Sequence, residues 1–214
     1  MSVFPVTHRL WGHGRSVCLA LALLAGITIS PAWGADSTAP AVEFSGTLIK
    51  QVEGRRHQAQ VFVKGDRIRL EYKYAIKTDY GYAAIEIIRL DKAETWYLLA
   101  QRKELLVTPV DVDDVLPVRP ALPGEKERVL VGDATAVGRA AQLFEVRTDR
   151  HGRVERFFEW VDVEAGIVLK LVSRDRDWSV EYERIRLSPQ PDYYFDEPHG
   201  YKRRPSPAGP RVQG

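Results

Sequence analysis

The chain has 214 residues, a formal net charge of +2 and one cysteine, Cys18. The excess charge comes from Arg9 and Arg15, because residues 1–34 hold no Asp or Glu; from residue 35 onward acids and bases balance, which argues against nucleic acid as a partner. With Cys18 confined to the N-terminal segment, the rest offers no thiol for a disulfide, a thiolate metal site or a cysteine nucleophile, so packing alone must hold it together, as a chain of this size allows.

In chain order the first element is a secretory signal. Arg9 and Arg15 make a positive n-region, and Val17 to Ile29 is apolar over about 13 residues, short of the ~20 that span a bilayer. Pro31 and Ala32-Trp33-Gly34 suit cleavage after Gly34, which puts residues 1–34 in the signal and starts a periplasmic mature chain at Ala35; a retained N-terminal anchor is the alternative. Cys18 follows Arg15-Ser16-Val17, unlike a lipoprotein signal, so no N-terminal lipid is expected. The mature form is read as monomeric and not membrane-spanning.

Period-2 alternation then dominates. In Arg67 to Tyr74, Ile68, Leu70, Tyr72 and Tyr74 alternate with Arg67, Arg69, Glu71 and Lys73, the pattern of a strand with one wet face. Glu43 to Val52 and His57 to Val63 precede it through Glu53-Gly54-Arg55-Arg56, and Lys64-Gly65-Asp66 makes the next turn. Further strands are predicted at Ala84 to Leu90, Thr95 to Ala100, Glu104 to Thr108, Arg128 to Val137, Ala140 to Thr148, Arg153 to Val161, Ile167 to Arg174 and Trp178 to Leu187. About eleven short strands at this spacing indicate a mainly β domain over residues 35–203. Spacing of this kind is that of a barrel or of a two-sheet sandwich.

Pro109 to Glu127 interrupts the strands with Pro109, Pro117, Pro120, Pro123 and Gly124, and reads either as a lid or as an ordered crossover. From Tyr201 the chain is Pro-, Gly- and Arg-rich, and residues 204–214 are assigned to a disordered tail. Several strands are apolar on both faces, among them Ile85 to Leu90, Trp96 to Leu99 and Ile167 to Val172. Something must cover the second face: a lid, a second sheet, a partner or an apolar ligand.

Two stretches carry a family resemblance. Phe158-Glu159-Trp160-Val161-Asp162-Val163-Glu164-Ala165-Gly166 with Ile167 to Leu171 is similar to the hairpin "W-[VI]-D-x-x-[TA]-G-x-x-L-K" of the LolA/LolB-like superfamily of periplasmic lipoprotein-sorting proteins. Tyr194 to Tyr201 resembles the "F-x-x-P-x-G-[YF]" strand that closes those domains. The resemblance implies an incomplete antiparallel β-barrel of about eleven strands with a partial lid over an apolar cavity, with the two-sheet sandwich as the alternative, and a ligand that is an acyl chain, a lipid or a lipidated protein.

Catalytic patterns are not found. His57, His151 and His199 lack metal-ligand spacing, and Asp111, Asp113 and Asp114 lack the Gly and closing Glu of a calcium loop. No nucleophile elbow, phosphate loop or dinucleotide fingerprint occurs. Glu86, Glu155, Glu159 and Glu181 could supply a carboxylate pair in space, but nothing singles one out. The reading is a non-catalytic protein with no metal or cofactor, whose cavity is expected to be lined by Leu70, Tyr72, Ile87, Tyr97, Leu99, Phe158, Trp160 and Leu169. The alternative is a sensor or interaction domain that recognises an envelope protein.

Overall fold

A computed structural model describes residues 42–78, 80–111 and 116–206; the segment read as a signal, Asp113, Asp114 and residues 207–214 fall outside them. Among the described residues there are twelve strands: β1 (Glu43–Val52), β2 (Arg55–Lys64), β3 (Arg67–Thr78), β4 (Gly81–Arg89), β5 (Glu94–Leu99), β6 (Glu104–Pro109), β7 (Glu125–Ala136), β8 (Arg139–Arg150), β9 (Arg153–Asp162), β10 (Val168–Ser173), β11 (Trp178–Leu187) and β12 (Lys202–Pro205). The first eleven are those the alternation predicts. β7 begins before the predicted Arg128, at Glu125, because the Asp149 N–H donates to Gly124 O and extends the β7–β8 ladder.

β12 is a correction to the expected tail. It pairs in parallel with β6, and its flanking amides are held by Lys202 N to Lys103 O at 2.9 Å and Ser206 N to Val107 O at 2.8 Å. Arg203 pairs with Glu94 and Glu197, and Arg204 with Glu104. The open edge of β6 supplies unpaired backbone groups, and these order a segment whose composition lacks apolar residues.

All twelve strands lie in one sheet, in the order β12-β6-β5-β4-β3-β2-β1-β11-β10-β9-β8-β7, which does not close into a barrel. The two-sheet sandwich is therefore excluded. β1–β6 and β7–β11 are each meanders, and the pairing of β1 with β11 joins them. On a flat sheet β3 and β9 would be five strand spacings apart, roughly 24 Å. Here Ile68 and Phe157 line one pocket, so the sheet is strongly curled.

The inner face carries the main apolar cluster, in which Phe44, Leu48, Ala59, Val61, Ile68 and Leu70 meet Val146, Phe157, Leu169, Leu171, Val180 and Tyr182. On the outer face of β4–β6 a second cluster gathers Ile87, Trp96, Leu98, Leu105 and Val107 around Phe195, with Tyr194 and Tyr201 against it. Phe195 belongs to a short 3-10 turn, Asp192–Phe195. Its carbonyl accepts from Arg89, and Arg89, Lys92 and Arg203 stack over the buried Trp96 ring at 5.1 to 5.7 Å. The second apolar face of β4–β6 is thus covered by the chain's own C-terminal segment.

Candidate ligand-binding pocket

Register assigns the inner-face side chains. Leu48 stands opposite Ala59, Ala59 opposite Tyr72, Glu86 opposite Tyr97 and Val52 opposite Trp178, and opposed residues share a face. Together with Ile76 the apolar members floor a pocket of about 330 Å³, within the range of small-molecule sites. Its rim is polar, with the charged Lys50, Glu53, Arg55, Asp111 and Arg176 beside His57. Inside it Glu86, nearly buried, accepts a hydrogen bond of 2.5 Å from Tyr72 Oη. Arg176 lies over the Trp178 ring and donates to Glu155, which also accepts from Ser173 Oγ. Asp177 accepts from Gly54 N and Gln51 Nε2 and so ties the β1–β2 turn to the start of β11. The arrangement is that of an apolar slot with a polar mouth.

A second pocket of about 230 Å³ adjoins the same Arg176 and Trp178. One wall is Ile68, Phe157 and Leu171 of the sheet, and the other is the segment from Leu116 to Pro123. That segment buries Leu116, Val118 and Leu122 in the inner cluster, and Val118 O accepts from Val168 N. Its far end is pinned by Glu125, whose carboxylate accepts from Leu122 N and from Arg128. Arg128 also pairs with Glu159, a fully buried carboxylate on the inner face. Burial pushes the Glu159 carboxyl above the usual glutamate value, and Arg128 offsets this only in part. One oxygen of Glu159 and the hydroxyl of Tyr182 are buried without a hydrogen-bond partner among the described residues.

Of the side chains expected to line a cavity, Tyr72 and Tyr97 do so. Leu70 and Leu169 are buried in the main inner cluster, and Leu99 packs with Ile76, Ala83 and Leu106. Ile87, Phe158 and Trp160 are corrected to the outer face. Ile87 alternates with the inward Glu86 and Ile88, and packs against Trp96 and Phe195. Phe158 and Trp160 alternate with the inward Phe157 and Glu159, and lie half-buried beneath Arg174 and Lys170. In a strand apolar on both sides, size gives no clue to the face; register against β8 and β10 decides it. Leu48, His57, Glu86, Arg176 and Trp178 were not expected in the pocket. The sequence signal for two of them is alternation: His57 is in step with Ala59, Val61 and Val63, and Glu86 interrupts an isoleucine run.

The four glutamates that could have formed a catalytic pair are each engaged: Glu86 by Tyr72, Glu155 by Arg176, Glu159 by Arg128 and Glu181 by Lys170. Among the described residues no three His, Asp or Glu side chains converge as a metal site would require, and no helix is long and apolar enough to cross a membrane.

No family model and no curated protein matches this chain. Among solved structures it is similar to MucB, at 17% identity over 74% of this chain and 58% of that one, with a TM-score of 0.50. MucB in complex with MucA(peri) superposes with 18% identity over 74% and 55%, at 0.46, and PNGF-II with 14% identity over 78% and 31%, also at 0.46. The chain thus spans little more than half of MucB, and the likeness is one of fold, consistent with a LolA-like half-barrel.

Proposed function

We propose that the chain is an exported, non-catalytic binding protein that holds the apolar part of an amphiphile, the acyl chain of a lipid or of a lipidated polypeptide, on the inner face of its half-barrel. The observation that carries this is the pocket of about 330 Å³ with Leu48, Ala59, Tyr72, Ile76, Tyr97 and Trp178 below and a charged rim above. An acyl chain gains by leaving water for that floor, at about 0.8 kcal/mol per buried methylene. Its polar head stays at the mouth, where Lys50, Arg55 and Arg176 stand beside Glu53 and Asp111.

Native mass spectrometry of the chain from residue 35, purified without detergent and then offered palmitate, tests the reading. A bound acyl species is expected in the native protein and is lost in Ala59→Trp, which fills the floor while far-UV circular dichroism is unchanged. Ile76→Glu provides the same loss by charge should the tryptophan prevent folding. A clean unloaded mass with no uptake by the native protein would sink the proposal.

A second reading, docking of an envelope protein, is favoured by β7. It is an edge strand, and its Val129, Leu130 and Val131 are about half exposed. A photo-crosslinker at position 130 that captured no protein in cells would remove it.

A further inference from the structure

We infer that the inner-face pocket selects an acyl chain carrying a hydroxyl group away from its head, and that Glu86 is the residue that reads it. The inference rests on the proposed acyl site and names the class of chain that fits it. Glu86 lines the pocket together with Tyr72 of β3 and Tyr97 of β5 and is only 9% exposed, whereas Glu53, Arg55, Asp111 and Arg176 of the same lining are exposed. The carboxylate therefore lies deep in the slot, away from the mouth. Register keeps it there: Glu86 stands opposite Leu70 and Tyr97, and its neighbours Ile85 and Ile87 pack on the outer face. Folding alone does not call for an acid at this place in a run of isoleucines.

A chain of plain methylenes is a poor match for that position. It buries the carboxylate further and returns no hydrogen bond, a cost that apolar contact elsewhere must offset. A hydroxyl on the chain removes the mismatch. A carboxylate only accepts, with about four lone-pair positions on its two oxygens. The Tyr72 hydroxyl donates to one oxygen at 2.5 Å, and the group is made to accept several donors at once. The charge of the site favours a neutral donor over a cation. At the mouth the basic Lys50, Arg55 and Arg176 stand with the acidic Glu53 and Asp111, an excess that suits an anionic head and opposes entry of an ammonium group. A site that hydrogen-bonds a ligand hydroxyl also rejects the analogue that lacks it, because its buried polar group then goes short of a donor.

Calorimetry on the chain from residue 35 compares palmitate with 10-hydroxypalmitate and 16-hydroxypalmitate, and 16-aminopalmitate serves as the cationic control. At least one hydroxylated chain is expected to bind about tenfold or more tightly than palmitate, the worth of one hydrogen bond to a charged acceptor. In Glu86→Leu with Tyr72→Phe, which removes both partners of the hydrogen bond together, palmitate should bind about threefold or more tightly and the preference should vanish. Palmitate binding to the native protein as well as both hydroxylated chains overturns the inference and leaves the acyl site standing. A preference that survives the double variant overturns the role of Glu86, and tightest binding of the amine overturns the hydroxyl. Uptake of none of the four probes overturns the acyl reading as well. Glu86→Asp, which keeps the charge and withdraws the oxygens, replaces the double variant should that one fail to fold. There too the preference should fall, and an unchanged ratio counts against Glu86.

Discussion

Two buried carboxylates on the same strand respond oppositely to pH because of what each faces. At Glu159 burial dominates and raises the carboxyl above its ordinary value of 4.5 even beside Arg128. The folded state therefore favours the protonated form, and the contribution of Glu159 to stability is greatest below pH 4.5 and declines as pH rises through that value toward the raised one. At Asp162 burial works in the same direction, but the Arg139 guanidinium and the N–H groups of Ala165 and Glu164 outweigh it and hold the carboxyl below its ordinary 3.8. Its contribution is present above pH 3.8 and is lost as pH falls through the lowered value. Urea unfolding of Glu159→Gln and Asp162→Asn across pH 3 to 7 should show this: relative to the native protein, the Gln variant gains stability as pH rises and the Asn variant loses it. Parallel curves would refute the assignment. Asp162 also shows what could be read in advance. A connection at Asp162 to Gly166 was legible as the gap between the predicted strands Arg153 to Val161 and Ile167 to Arg174, and the acceptor role of the Asp162 side chain is the physical content of that turn.

At the scale of elements, strands whose two faces differ in polarity were legible, and strands apolar on both were not. Arg67 to Tyr74 could be assigned a face, and its Ile68, Leu70 and Tyr72 join the inner cluster as expected, while Tyr74, where the β3–β4 register is irregular, is exposed. Phe158 and Trp160 could not, because a one-residue choice of phase reverses the face and neither phase conflicts with composition. β12 was illegible for another reason: its order comes from the backbone of β6 and from the Glu94, Glu104 and Glu197 carboxylates, none of which its own composition records. Ending the chain at Tyr201 should therefore do more than trim a tail. Hydrogen exchange at β6 is expected to quicken and the unfolding midpoint to fall, consistent with a buried strand becoming an edge. Unchanged exchange at β6 would mean that the β12 pairing contributes nothing.

For the whole molecule, the curled sheet gives each face its own cover. The C-terminal segment closes the outer face over β4–β6, and the proline-rich crossover packs part of the inner one, which also holds the pocket. The proline-rich crossover was open in the sequence to a reading as a partial lid, whereas the cover by the C-terminal segment was not assignable, since it depends on contacts between distant residues. If the inner face binds an acyl chain, the ligand stabilises the folded form alone: palmitate at about 100 times its Kd should add about 2.7 kcal/mol to unfolding, read as a rise in Tm that Ala59→Trp abolishes. The junction of the two meanders carries a kinetic consequence. Each meander can assemble from neighbours in sequence, but β1 must find β11, with Gln51 and Asp177, a pair it brings together, 126 positions apart. Closing so long a loop comes at an entropic cost before any contact repays it. The seam is then the slow step of folding, and a chain emerging N-terminus first carries β1 with one edge unsatisfied until nearly all of it has arrived.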